Sequence, residues 1–145
     1  MTYRPIPTIA ATIAAFLAIS APATADVDPD VAAVSKAIHY YFDGTENGNI
    51  ESLKRAFLDT AELQFVRDGR FQRWPVGDYI ARFKPGKKNN RVGRLISIDI
   101  SGTAAVAKAE IVMGKRRYTD YFLLLKVAGR WWISNKTFYA HPPPQ

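Results

Sequence analysis

The last third of the sequence constrains the fold most, because it holds four strand-like segments separated only by short turns. The turns lie at Ser101-Gly102, around Met113-Gly114 and at Ala128-Gly129-Arg130. Turns this short force neighbouring strands to run antiparallel. Prolines in the tail 141–145 cannot extend a sheet, because proline lacks the backbone donor. The predicted strands are 92–100, 103–112, 117–127 and 131–139.

Helical periodicity precedes these strands. Asp28 can cap a helix with Pro29 at its first position, and apolar side chains then recur at helical spacing over 31–42. Gly48 is a typical helix stop, and residues 49–57 predict a second short helix that begins with the capping residue Asn49. The early part of the chain is therefore expected to hold two consecutive helices.

A hairpin and a third helix complete the predicted elements. Residues 62–74 alternate between apolar and polar side chains on both sides of Asp68-Gly69, a typical hairpin turn. Pro75 then opens a short helix that runs to Phe83, and a basic loop follows over 84–91. Three early helices and a later meander predict an α+β fold, with helices covering one face of a curved antiparallel sheet.

Composition excludes several function classes. The 145 residues include no cysteine and two histidines, so disulfides, thiol nucleophiles and thiolate-held metals are excluded, and we expect neither a metal nor a cofactor. The formal net charge is +7, but the basic residues are dispersed. They indicate either an ordinary solvated surface or a site for an anion.

The first 25 residues have the features of a secretory signal peptide. A positive start with Arg4 precedes an apolar stretch over 6–19, and small residues at Ala23 and Ala25 form a cleavage site. The apolar stretch is shorter than the roughly 20 residues of a membrane-spanning helix. We therefore expect a single domain over 26–145, located in a bacterial periplasm or secreted, with no transmembrane segment after cleavage and no nucleic-acid partner.

Several ordered segments resemble a known superfamily. They are Tyr40–Asn49, Leu63–Gly69, Tyr79–Phe83, Val106–Ile111, Tyr118–Lys126 and Trp131–Tyr139. Together they resemble the NTF2-like (SnoaL-like) superfamily in its lumazine-binding branch, and more distantly the ketosteroid isomerases. The resemblance implies a cone in which helices and the concave face of a sheet enclose an apolar pocket, while the other sheet face often forms a homodimer.

The resemblance also implies a polar pair in that pocket. Tyr41 matches the oxyanion-hole tyrosine of the isomerases, and Asp120 matches their carboxylic acid, which stays protonated and donates a hydrogen bond. Phe65 stands where the isomerases place the general base, so Asp68 or Glu62 would have to supply it. Both residues of the pair also have a structural interpretation. Tyr41 could be a core tyrosine bonded to the backbone, and Asp120 a strand carboxylate neutralised by a cation such as Lys136.

Aromatic side chains are the other candidates for lining the pocket, although aromatic residues more often serve packing. The candidate ligand-binding residues are Tyr41, Phe65, Trp74, Tyr79, Phe83, Tyr118, Asp120 and Phe122. Adjacent Trp131 and Trp132 must point to opposite sheet faces, which favours a homodimer.

Three functions remain open at this point. The first is an exported protein that binds a small apolar or aromatic molecule, because the polar pair is present and a base is not. The second is a cofactor-free isomerase or dehydratase that uses Tyr41 and Asp120 as an oxyanion-binding pair. The third is an envelope interaction module whose contacts include Lys84, Lys87 and Lys88.

Overall fold

The computed structural model describes residues 28–143, so the predicted signal peptide lies outside the described residues. Three helices and six strands follow one another along the chain. They are α1 (Pro29–Asn47), α2 (Ile50–Ala56), β1 (Phe57–Arg67), β2 (Arg70–Pro75), α3 (Val76–Ile80), β3 (Arg91–Ser101), β4 (Ala104–Met113), β5 (Arg116–Val127) and β6 (Arg130–Ala140).

Local sequence signals set the helix limits. The Asp28 side chain accepts a hydrogen bond from the Asp30 backbone at 2.8 Å, and Gly48 ends α1 at φ +64°. Asn49 caps α2 through the Ser52 backbone at 3.2 Å. Helix α2 ends earlier than expected, because Phe57 is already extended and begins β1. The caps of both helices are thus confirmed.

All six strands form one sheet in the order β2-β1-β6-β5-β4-β3. The hairpin and the four-stranded meander pair antiparallel as expected, and the α+β class is confirmed. One pair differs from expectation, since β1 and β6 run parallel. The reason is the path of the chain. After α3 it crosses to the far edge of the sheet, and the returning meander places β6 beside β1 in the same direction.

The core lies between α1, α2 and the concave face of the sheet. Irregular pairing between Leu123 and Leu124 on β5, and between Leu95 and Ser97 on β3, interrupts the strand register and increases local bending. The largest fully buried apolar side chains of the described residues are Ile38, Tyr41, Leu53, Phe57, Leu63, Ile111, Phe122, Leu124 and Ile133. These side chains hold the helices against the sheet.

Helix α1 and strand β3 approach most closely at Gly93. A Cβ atom built at Gly93 would overlap the ring of Phe42, a buried residue of α1. Gly93 therefore sets the distance between this helix and the edge of the sheet.

We expect Gly93→Ala to lower the free energy of unfolding by about 1–3 kcal/mol, because the added methyl group overpacks a closed contact. The matched control is Gly77→Ala on α3, where a Cβ atom meets nothing within 4 Å. That control should stay within about 1 kcal/mol of the parent protein. Denaturant unfolding measures both, and equal stabilities of the two variants would contradict this account of Gly93.

Candidate functional site

A cavity of about 150 Å³ opens between the hairpin, α3 and the concave face of the sheet. Its lining combines an aromatic and aliphatic wall with a charged end. The lining residues are Leu63, Arg67, Trp74, Tyr79, Arg91, Met113, Tyr118, Asp120, Lys136 and Phe138. A larger and more open groove of about 550 Å³ lies outside α1 near Trp131, and it contains none of the predicted site residues.

A chain of four polar side chains forms the charged end. Asp120 Oδ2 lies 2.8 Å from Lys136 Nζ and accepts a hydrogen bond from the Tyr41 hydroxyl at 2.8 Å. The Tyr41 oxygen in turn accepts a hydrogen bond from Arg91 Nη2 at 2.5 Å. The Asp120 and Lys136 side chains are 1% and 3% exposed, so this is an ion pair almost without solvent.

Burial and the neighbouring charges define how these groups ionise. Burial raises the pKa of Tyr41 well above its usual value, and burial also raises the pKa of Tyr79. Burial lowers the pKa of Lys136, against the opposing charge of Asp120. Burial alone would lower the pKa of Arg91, but the neighbouring side chains outweigh burial and raise this pKa above its usual value. Both tyrosines are therefore neutral donors near neutral pH, and Arg91 is a cation.

Two buried polar atoms at this end have no hydrogen-bond partner among the described residues. They are Arg91 Nε and the Tyr79 hydroxyl, which lies beside Tyr41 and Arg91 but makes no well-directed hydrogen bond to either. Buried polar atoms are nearly always satisfied, and leaving one unpaired costs about 1–3 kcal/mol. The charged end of the cavity thus has unused hydrogen-bonding capacity.

The loop between α3 and β3 delivers Arg91 to this position. The loop is fastened to the end of α1, with Gly86 N 3.0 Å from Gly48 O and Asn89 N 2.6 Å from Glu46 O. The Asn89 side chain adds a hydrogen bond of 2.9 Å to the Thr45 carbonyl. Strand β3 consequently begins with Arg91 directed at the Tyr41 hydroxyl.

Half of the eight predicted ligand-binding residues line the cavity, namely Trp74, Tyr79, Tyr118 and Asp120. Tyr41 lies directly behind the lining, where it joins Arg91 to Asp120. Its partner is a side chain, unlike the backbone carbonyl of the structural interpretation. That interpretation correctly named Lys136 as the counterion of Asp120.

The other three predicted residues pack behind the wall. Phe65 stacks on Phe138 with ring centroids 4.6 Å apart. Phe122 meets Tyr41 edge-on at 5.0 Å, and Phe83 meets Tyr79 edge-on at 5.2 Å. These rings fix the positions of lining residues without lining the cavity themselves.

The Tyr41–Asp120 pair differs in one respect from the pair that the resemblance implies. Tyr41 donates to Asp120, and Asp120 also forms an ion pair with Lys136. The pair therefore does not present two donors to the cavity. The donors that face the cavity unused belong to Tyr79 and Arg91.

Sequence reasoning did not place Arg91 or Lys136 in the lining. Arg91 was assigned to the basic loop, although period-two alternation with Gly93 and Leu95 could have placed it on the inner face. Alternation cannot place Lys136 on the inner face of the sheet. The pairing irregularity beside Ser134 shifts by one residue which side chains of β6 point inward. Trp131 and Ile133 are buried before it, and Lys136 after it.

The two candidate bases lie away from the cavity lining. Asp68 is exposed at the hairpin turn with φ +51°, a conformation that suits its turn role. Glu62 pairs with Arg73 at 3.1 Å. Asp120 is therefore the one carboxylate among the described residues that line the cavity.

Within residues 28–143, no group of His, Asp and Glu side chains is arranged to hold a metal ion. No helix in the same range is long and apolar enough to cross a membrane.

We expect Lys136→Met to lower the free energy of unfolding by about 3–5 kcal/mol, because it leaves the buried Asp120 carboxylate without a counterion. The double variant Asp120→Asn/Lys136→Met removes both charges and should recover more than half of that loss. Urea unfolding of both variants and the parent protein measures this. A single variant within about 1 kcal/mol of the parent would show that the ion pair does not matter for stability.

Comparison with known proteins identifies relatives of this architecture. Residues 29–139 match the family described as "Putative lumazine-binding". An NTF2-like protein of unknown function from Methylobacillus flagellatus KT is 30% identical in sequence, with a TM-score of 0.69 over 82% of this chain and 97% of that one. A similar protein from Shewanella baltica OS155 is 26% identical, with a TM-score of 0.71 over 78% and 94%.

A curated relative is the aldolase FrzH of Cladobotryum sp., which is 24% identical over 113 residues, or 76% of this chain and 90% of the relative. The family match spans most of the chain, and the solved relatives share the helices and curved sheet that enclose the cavity. The chain therefore belongs to the family of NTF2-like proteins that is described as "Putative lumazine-binding".

Proposed function

We propose that this protein binds a small planar aromatic molecule in the cavity between α3 and the concave face of the sheet. The observation that carries the proposal is one cavity with an aromatic wall and a polar end. Trp74, Tyr118 and Phe138 offer apolar surface, while Arg91 and Tyr79 offer unused donors. Ligand sites typically combine a largely apolar wall with a few placed polar groups. The family description, which names lumazine, supports the same class of ligand.

The size of the cavity limits what can enter it. Its volume of about 150 Å³ equals that of a cavity that accepts benzene. One ring therefore fits inside, and a second fused ring would extend toward the mouth. Arg67 lies exposed at that mouth, with its guanidinium 5.7 Å from the centre of the Trp74 ring. The cavity suits a one-ring or two-ring compound.

Binding accounts for the site better than proton-transfer isomerisation does. An isomerase needs a base within hydrogen-bond reach of its substrate. Asp68 and Glu62 lie outside the lining, and Asp120 accepts from Tyr41 and forms an ion pair with Lys136. The polar end can therefore hold a ligand oxygen, while neither Asp68 nor Glu62 is positioned to remove a proton from the ligand.

Carbonyl chemistry is a second candidate function, and one observation favours it. The amine of Lys136 lies at the cavity wall, and burial lowers its pKa. Neutral lysine amines can add to carbonyl compounds. The similarity to an aldolase is consistent with this candidate. The ion pair with Asp120 opposes it, since that contact favours the protonated amine. Binding therefore remains the primary proposal.

A pair of tryptophan substitutions tests the cavity. Met113 lines it, whereas its neighbour Val112 is 41% exposed on the other face of β4. We expect lumazine, titrated into the labelled protein, to shift the NMR signals of Trp74, Tyr118 and Phe138. Met113→Trp should abolish these shifts by filling the cavity, and Val112→Trp should preserve them.

If lumazine leaves the signals of the lining residues unchanged, or if Met113→Trp binds it as well as Val112→Trp does, the cavity is not its binding site. Such a result would favour the interaction module as the function instead.

Export is part of the proposal. The support for it is the order of residues in the first 25 positions, where a single positive charge, an apolar stretch and a small-residue cleavage site follow one another. An exported chain without cysteine needs no oxidative folding step. We propose that the mature protein begins at Asp26 and acts in the periplasm or outside the cell.

We also propose that two copies associate through the convex face of the sheet. Apolar side chains on β4 and β5 remain exposed there, and Val106 lies directly opposite Leu123 in the register. The exposed apolar residues of these two strands are Val106, Val112, Tyr121, Leu123, Leu125 and Val127. Contiguous exposed apolar surface of this kind is typical of protein interfaces.

We expect Leu123→Glu to convert the dimer to a monomer, because it places two like charges in the middle of a symmetric contact. Phe71→Glu on the hairpin introduces the same charge at a residue that is 66% exposed, and it should leave the dimer intact. Light scattering coupled to size-exclusion chromatography measures both masses. A parent protein that is already monomeric would contradict the proposed association.

A further inference from the structure

We propose that the ligand of the cavity is an aromatic carboxylate, whose anionic group is bound by Arg91 and Tyr79. This inference rests on the proposed function and makes it more specific. It assigns a charge to the ligand and a position to that charge.

Cationic side chains outnumber carboxylates around the cavity. Three cations line it, Arg67, Arg91 and Lys136, and one carboxylate, Asp120. Lys136 lies 2.8 Å from Asp120 and compensates it.

Arg91 has no such partner, because its hydrogen bond within the site goes to the neutral hydroxyl of Tyr41. Among the described lining residues, the two inner cations Arg91 and Lys136 therefore share the single negative charge of Asp120, which Arg91 reaches only through Tyr41. A partly buried cation is stabilised by an anion within a few ångströms.

Two hydrogen-bond donors at the polar end of the cavity are unused. Arg91 Nε and the Tyr79 hydroxyl are both buried, and neither has a hydrogen-bond partner among residues 28–143. The Tyr79 residue is only 6% exposed, so bulk water does not surround it. Both groups can donate, and a carboxylate has two oxygens that only accept. An anionic acceptor would satisfy both atoms with charge-assisted hydrogen bonds.

Asp120 supplies no uncompensated negative charge to the cavity. Its Oδ2 atom accepts from Tyr41 and lies 2.8 Å from Lys136, which compensates the carboxylate. A cationic ligand would therefore meet two further cations, Arg67 and Arg91, without a free anion to bind it. The site thus favours an anionic ligand over a cationic one.

The aromatic and aliphatic wall of the cavity determines what the uncharged part of the ligand can be. Trp74, Tyr118 and Phe138 offer ring surfaces, and Leu63 is fully buried beneath them. A flat ring attached to the carboxylate would pack against these side chains while its charge faces Arg91. Benzoate is the simplest probe with both parts, and a cavity of about 150 Å³ accepts a ring of its size.

The test compares benzoate with benzamide, which has nearly the same shape but no charge. Titration calorimetry of the full protein should show that benzoate binds about tenfold more tightly or better, since charge-assisted hydrogen bonds are roughly twice as strong as neutral ones. The formal net charge of +7 attracts any anion to the surface. Met113→Trp controls for this attraction, because it fills the cavity without changing the charge, and it should abolish benzoate binding.

Tyr79→Phe tests the position of the carboxylate. It removes a hydroxyl that makes no well-directed hydrogen bond in the structure, so thermal stability should change little, whereas benzoate affinity should drop about five- to tenfold. Tyr121→Phe makes the same chemical change at a residue that is 42% exposed on the opposite face, and it should leave the affinity unchanged. A stability loss in Tyr79→Phe without a loss of affinity would show that the hydroxyl has only a structural role.

The outcomes separate this inference from the proposed function. Benzamide binding as tightly as benzoate, with both lost in Met113→Trp, would overturn the anionic ligand and leave the aromatic cavity standing. Benzoate binding that persists in Met113→Trp would assign the anion to the surface and overturn the inference. If neither compound binds, the inference is wrong, and the lumazine titration decides separately whether the aromatic cavity stands.

Discussion

The buried carboxylate of Asp120 is the constraint on which the rest of the site depends. It lies on β5 with 1% of its side chain exposed. A charge there is tolerated only when it is paired and hydrogen-bonded. Lys136 on β6 supplies the charge, and Tyr41 on α1 supplies a donor. Arg91, the first residue of β3, extends this series of polar contacts by donating to the Tyr41 hydroxyl. One anion therefore fixes the relative positions of a helix and three strands.

This arrangement explains why the cavity has a distinct polar end. Two of the three cations in the lining are drawn toward Tyr41 and Asp120, and only one acidic group is present to receive them. Donors consequently outnumber acceptors, and two buried donors are left without partners. The aromatic residues on the hairpin and α3 close the cavity on the side away from this polar end. The site combines a dry wall with donors that are already oriented, which lowers the cost of binding an acceptor.

Much of the fold follows from local sequence signals. Asp28, Gly48 and Asn49 mark the helix ends, and the Asp68-Gly69 turn places the hairpin. The strands of the meander begin and end within a few residues of their predicted limits. The early end of α2 could not be predicted in the same way. Phe57 continues the helical spacing, yet parallel pairing with Ile133 on β6 draws it into β1.

The site was harder to predict, because it depends on strand phase and on long-range contacts. The resemblance brought Tyr41 and Asp120 together, and Lys136 was named as a counterion. Alternation along β6 fails at Ser134, so the inward direction of Lys136 was not accessible from the sequence. Arg91 needed the loop to fasten onto α1 before its contact with Tyr41 could be known.

The central claim is that Arg91 and Tyr79 form the binding position for an anionic group. A crystal structure of the protein with benzoate tests this claim most directly. The account predicts carboxylate oxygens about 2.7–3.2 Å from Arg91 Nε and from the Tyr79 hydroxyl, with the ring against Trp74 and Phe138. A ring inserted toward Arg91 with its carboxylate in solvent, or a cavity filled only by water, would contradict the account.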